Sequence, residues 1–311
     1  MSTTLKKTSF ISLPRISVIA SHTFTQLVRM KVFYFLVIFA LLMLVLQFTE
    51  LSVNAVSSGG GGGAEQELRI IKSLGFFAMN TFSFILALSA TALLIPKDIE
   101  DRTLYTILCK PVPRLDYLLG KLFGVLFLIF IALIVMDLLF CLILQMKTSS
   151  LIDYETIRLQ RMGLSPDSIA ERIAKIEELG VSFSIHAGVL AVFLKAAVIA
   201  SIALLISTFS SSTLFTIIIS IIIALIGLVQ ADAREYFMME QQYKGEASFI
   251  SYFAVGIAVF FPDFQFMSFE DGVIDGTAVP TGILLKIVSL AFFYCAIYTV
   301  LSWFVFKKKE F

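Results

Sequence analysis

Asp137, within the apolar run 122–144, and Lys195, within 187–206, are ionisable side chains set well inside long apolar runs. An unpaired charge at such a depth costs about 2.5 to 3.5 kcal/mol on insertion scales. Counted inward from Leu144 and Ala187, the outer ends of their runs, both residues lie about 10 Å deep at the rise of an α-helix. Equal depth on consecutive antiparallel helices predicts that the two find each other. A structural salt bridge is one reading, and a polar lining of a transport path or an ion relay is the other. Asn80, Ser83 and Ser89, in another apolar run, are milder groups that hydrogen bonds between helices explain.

Other chemistries are excluded by what the sequence lacks. No GxxxxGK[ST] loop is present, so the chain does not hydrolyse ATP by the P-loop mechanism. His22 and His186 are its two histidines, and neither an HExxH pair nor a nucleophile elbow occurs. The sequence therefore offers no catalytic residues, no metal site and no directly bound cofactor. Asp271-Gly272 and Asp275-Gly276 read as loop turns rather than the carboxylate cluster of a head-group transferase. Cys109, Cys141 and Cys295 form no CxxC pair and no even disulfide framework, and read as packing residues.

The elements that position these residues follow from composition. Of 311 residues, 58% are hydrophobic and 15% charged, more apolar surface than a soluble fold of this size buries. The bilayer is the natural cover for the remainder. The net charge of +1 gives no broad basic field, which argues against a nucleic-acid partner. Six runs approach or exceed the roughly 20 apolar residues that a transmembrane helix needs: 32–48, 73–95, 122–144, 187–206, 214–229 and 283–306. A seventh, 249–261, is short and ends at Pro262, as a re-entrant or interfacial segment does. The expected fold is all-α, a polytopic membrane protein with six transmembrane helices forming a single transmembrane domain over 1–311.

Basic residues orient it. Lys6, Lys7, Arg15, Arg29 and Lys31 precede the first run, and Lys307, Lys308 and Lys309 follow the last, so both termini are expected in the cytoplasm. The first run is expected to stay as a signal anchor, with no removable leader before it. Outside the spans, the arm 1–31 carries a helix over 14–30, with Ser12 as cap, Pro14 in the first turn and an apolar face suited to the inner leaflet. An external insertion, 146–183, carries a helix over 166–179 capped by Ser165 and stopped at Gly180, whose Ile169, Ile173, Ile176 and Leu179 need an apolar partner surface. The run Gly59–Gly63 reads as a flexible linker, and 230–282 as an external loop.

The segment 96–121 is the most informative. Asp98, Glu100 and Asp101 crowd what reads as the first turn of a short cytoplasmic helix, where the helix dipole favours acids. Lys110 stands at its far end before Pro111 and Pro113 stop it. Such a helix, tied directly to two spans, has the mechanical form needed to carry a partner's motion into the membrane.

Arg102-Thr103-Leu104, Leu108, Lys110-Pro111, Arg114 and Gly120-Lys121 together resemble the cytoplasmic signature of ABC type-2 transporter permeases. Ser207-Thr208-Phe209-Ser210-Ser211, Phe261-Pro262-Asp263-Phe264 and the Lys-Glu-Phe ending extend the likeness over most of the chain. Phe266, Phe269 and Asp271 place it nearest to permeases similar to the nitrous-oxide-reductase maturation transporter. The resemblance implies a half-transporter that pairs with a second copy or a sister permease. It also implies a coupling segment that docks on an ATP-binding-cassette ATPase subunit, with ATP and Mg held by that subunit. Asp98, Glu100, Asp101, Arg102, Thr103, Lys110, Pro111 and Arg114 would serve the coupling. A bacterial or archaeal cytoplasmic membrane is implied as well. The insertion at 146–183 departs from relatives and is a candidate contact for an external partner. Two other functions fit the composition: an ion-coupled secondary transporter using Asp137 and Lys195, and a membrane anchor for an external assembly.

Overall fold

The computed structural model describes residues 12–45, 63–100, 112–210, 212–244, 261–277 and 279–308. All secondary structure among them is helical. In chain order the helices are α1 (Leu13–Val28), α2 (Lys31–Val45), α3 (Gly63–Glu100), α4 (Arg114–Arg161), α5 (Pro166–Glu178), α6 (Phe183–Phe209), α7 (Thr213–Lys244), α8 (Glu270–Ile274) and α9 (Thr281–Lys308). In a bilayer every backbone polar group needs an internal partner, which an apolar helix supplies. Five helices among the described residues are long and apolar enough to cross: Gly63–Asp98, Arg114–Arg161, Pro166–Phe209, Thr213–Gln230 and Thr281–Lys308. The first expected run begins as α2 and continues outside the described residues, as does nearly all of 249–261.

The central post is α6. Its apolar window is 78% buried, against 28% for α7 and 22% for α9, so the latter two present most of their surface outward. Small residues explain why α6 takes the middle: Gly188, Ala191, Ala196, Ala200 and Ala203 let α3, α4 and α9 approach it closely. A Cβ at Gly188 would stand 2.7 Å from the Phe76 ring.

Both ends of the described chain meet at one end of the bundle, called here the terminal end. Arg15, near the start of α1, ion-pairs with Asp116 in the first turn of α4 at 2.9 Å. Arg114, at the start of the same helix, reaches the last turn of α9.

Several expected boundaries move. The helix α3 runs through Pro96 to Glu100 instead of stopping at Ile95, as helices packed in a membrane bundle tolerate proline. The third apolar run starts earlier, at Arg114, so 114–121 belongs to a membrane helix and not to a loop. That helix then continues from Leu144 to Arg161, about 26 Å at the rise of an α-helix. The insertion is thus chiefly an extension of a span. After a turn at Gly163, where φ is 72°, α5 folds back with Ile169, Ile176 and Leu179 buried. The apolar surface it needs comes from this chain, mainly from α4, where Leu159 is 4% exposed. Likewise α7 continues as helix to Lys244, into the stretch expected to be loop.

Candidate functional site

Two polar clusters and a smaller group around Asp137 lie where an apolar bundle would otherwise be expected. The first is at the terminal end. Asp98 near the end of α3 is 4% exposed, and its Oδ2 accepts hydrogen bonds from Tyr117 Oη at 2.6 Å and Lys121 Nζ at 2.7 Å. Both donors stand on α4, four residues apart, and so on one face. The Lys121 ammonium also lies 5.7 Å from the centre of the Tyr117 ring, which in turn stacks on Phe306 of α9 at 5.8 Å. Arg114 Nη1 donates to the carbonyls of Phe306 and Lys307 at 2.6 and 2.8 Å, satisfying acceptors that the last turn of α9 leaves open. A cation there also suits the negative end of the helix dipole. With Arg15–Asp116, the cluster binds α1, α3, α4 and α9 into one platform.

Close backbone approach makes the α1–α4 side of that platform. On α4, Gly120 and Gly124 are one turn apart, and a Cβ on either would meet Ile19 or Thr23 of α1 at 2.6 to 2.7 Å. Ile16 and Leu27, from the face expected to be apolar, are buried together with Thr23, and α1 packs chiefly on α4.

The expected coupling residues divide accordingly. Asp98 and Arg114 make ties within the chain, Asp98 to α4 and Arg114 to the last turn of α9. A buried carboxylate in the last turns of an apolar helix is stabilised here by a lysine and a tyrosine hydroxyl rather than by water. Glu100 ends α3. Asp101, Arg102, Thr103, Lys110 and Pro111 lie outside the described residues. Tyr117, one turn before Lys121, joins the same carboxylate, and its i, i+4 spacing from Lys121 is the sequence signal for it.

The second cluster sits toward the opposite end. Lys195 on α6 does not pair with Asp137. Its Nζ lies 2.5 Å from Oε1 of Glu270, whose carboxylate also accepts from Asn80 Nδ2 on α3 at 3.2 Å. Glu270 is the first residue of α8, a five-residue helix lodged between α3 and α6. Lys72 Nζ, fully buried, donates to the Val273 carbonyl at 3.2 Å, and Arg69 pairs with Asp275 just beyond. Depth counting along adjacent spans had no access to Glu270, because the segment that carries it returns from much later in the chain. Ser83 and Ser89 bond back to carbonyls of their own helix, not to neighbours. Among the three polar residues noted in this helix, Asn80 makes the bond between elements.

Asp137 finds other partners. His186 Nδ1, near the start of α6, is 2.6 Å from Asp137 Oδ2, and Cys141 Sγ, one turn along α4, is 3.7 Å from Oδ1. Asp137 is 13% exposed and His186 45%.

No protein-family model matches this chain, and no curated protein matches its sequence. The fold and the clusters define it as an all-helical chain with several helices fit to cross a membrane, held by buried ion pairs at both ends.

Proposed function

We propose that this chain is the membrane-spanning permease of an ATP-driven exporter whose ATPase is a separate subunit. The observation that supports it most is the platform at the terminal end. Residues 101–111, which carry Arg102, Thr103, Lys110 and Pro111, are bracketed by Asp98 on one side and by Arg114, Tyr117 and Lys121 on the other. A force applied to that segment enters a rigid assembly of α1, α3, α4 and α9. On this reading the segment docks on an ATP-binding-cassette subunit that holds ATP and Mg, and the terminal end faces the cytoplasm. The meeting of α1 with the end of α9 at one side favours an even number of crossings, six with α2 as the first. The outward surfaces of α7 and α9 then face lipid or a second permease copy. A bacterial or archaeal cytoplasmic membrane accords with the resemblance.

An ion-coupled carrier would use the intramembrane charges in alternating protonation or ion binding. Lys195 and Glu270 pair directly, and Glu270 also accepts from Asn80, which accords better with a structural tie.

The test is purification of the tagged protein from its native host in mild detergent, beside an Arg102→Glu, Lys110→Glu variant. Recovery of a P-loop ATPase with the wild type and its loss with the variant is the expected outcome. A folded protein that brings down no ATPase refutes the permease reading.

A further inference from the structure

We infer that Asp137, Cys141 and His186 form a three-ligand site for a borderline divalent transition-metal ion such as Zn2+. Their donor atoms, one oxygen, one sulfur and one ring nitrogen, all lie within 4.8 Å of one another. Two come from successive turns of α4 and the third from the start of α6, so the site closes across a packed helix pair and not within a loop. The donor set is the mixed O, S and N kind that zinc accepts, and the four-residue spacing of Asp137 and Cys141 sets both on one helix face.

Geometry agrees with little adjustment. Zinc legs of about 2.0 Å to oxygen and about 2.3 Å to sulfur put the two donors about 3.5 Å apart in a tetrahedron. Cys141 Sγ and Asp137 Oδ1 stand 3.7 Å apart. His186 Nδ1 stands 2.6 Å from the other oxygen of the same carboxylate, Oδ2, because the two share a hydrogen bond, so a rotation of the carboxylate brings one oxygen to face both donors. A bound ion replaces that bond and spreads the pair to about 3.3 Å, within the reach of small side-chain rotations. The half-exposed His186 ring, set edge-on to Phe183, turns on the open side of the site.

Charge favours the same assignment. On binding, the Cys141 thiol releases its proton to solvent, and thiolate plus carboxylate cancel the ion's two charges. A neutral assembly suits an apolar helix face, where an unbalanced carboxylate is costly. Three protein ligands leave the fourth position for water or an exchanging ligand, as in open zinc sites rather than closed structural ones. This inference stands independently of the transport reading.

The experiment uses the full chain, purified with whatever subunits accompany it, stripped with chelator and titrated with Co2+. Binding of one equivalent per chain with a thiolate-to-cobalt charge-transfer band is expected. The band should persist in a Cys109→Ser, Cys295→Ser protein, where Cys141 is the remaining thiol, and vanish in Cys141→Ser. Loss of an outer-shell partner weakens metal binding about 10- to 100-fold, so His186→Ala should weaken Zn2+ at least about tenfold in competition with a chromophoric chelator. His186 is exposed enough for that variant to keep its fold, checked by unchanged helical circular dichroism and elution as the same single species. Absence of the band in the wild type, or its survival in Cys141→Ser, overturns the site.

Discussion

Substituting Lys121 by Met removes the ammonium that Asp98 Oδ2 contacts at 2.7 Å while keeping most of the side-chain volume. Both members are buried, at 2% and 5% side-chain exposure, so the carboxylate left behind gains no water. Breaking a buried pair by deleting one partner costs about 3 to 5 kcal/mol. The Tyr117 hydroxyl still donates to the same oxygen at 2.6 Å, which sets the expected loss near the lower end, about 3 kcal/mol. Asp98→Asn should cost less, since the amide oxygen keeps the tyrosine bond, but it strands the ammonium. The double variant Asp98→Asn, Lys121→Met removes both charges and should recover about 2 kcal/mol relative to the sum of the singles. Reversible unfolding in mixed detergent micelles, with wild type, both singles and the double in parallel, reads this coupling. Additive singles, or a Lys121→Met protein within about 0.5 kcal/mol of wild type, would refute the claim that the pair locks α3 to α4.

Other consequences are equally specific. Gly120→Val forces a branched side chain into Ile19 and should cost about 1 to 3 kcal/mol, with α1 becoming the first segment cut in limited proteolysis. Lys195→Met strands Glu270 and should destabilise by about 3 kcal/mol or more, whereas Lys195→Met with Glu270→Gln should melt nearer to wild type; equal melting of the single and the double would contradict the direct pair. Ile176→Ala opens a cavity between α5 and its support and should cost about 2 to 5 kcal/mol, read as faster hydrogen exchange over 166–179. Asp137→Asn should lower stability in detergent through the lost His186 contact, and a loss indifferent to a concurrent His186→Ala would separate the two residues.

Local rules carried much of this. The apolar runs, the amphipathic face of α1 and the helix over 166–178 all follow from residue spacing, and Glu171 lies 3.0 Å from Lys175 as the i, i+4 rule anticipates. The same rules stopped short at helix ends. Pro96 and the charges near 114–121 looked like loop chemistry, yet α3 and α4 extend through them because each charge is answered by another helix. The polar tail of α4 beyond Leu144 stays helical where α5 packs on it, and Leu159 is buried there.

What residue order alone determined is the helical class, most of the membrane-compatible stretches and the need of Asp137 and Lys195 for partners, since hydropathy and desolvation act locally along the chain. Which partners they take was decided by tertiary structure. Glu270 reaches Lys195 from 75 positions away, and His186 reaches Asp137 across a helix pair. Electrostatic attraction selects among the groups that packing brings within a few ångströms, and packing here depends on where glycine and alanine let helices close. Gly120, Gly124 and Gly188 are legible as letters, but which neighbour each admits exists only once the bundle has formed.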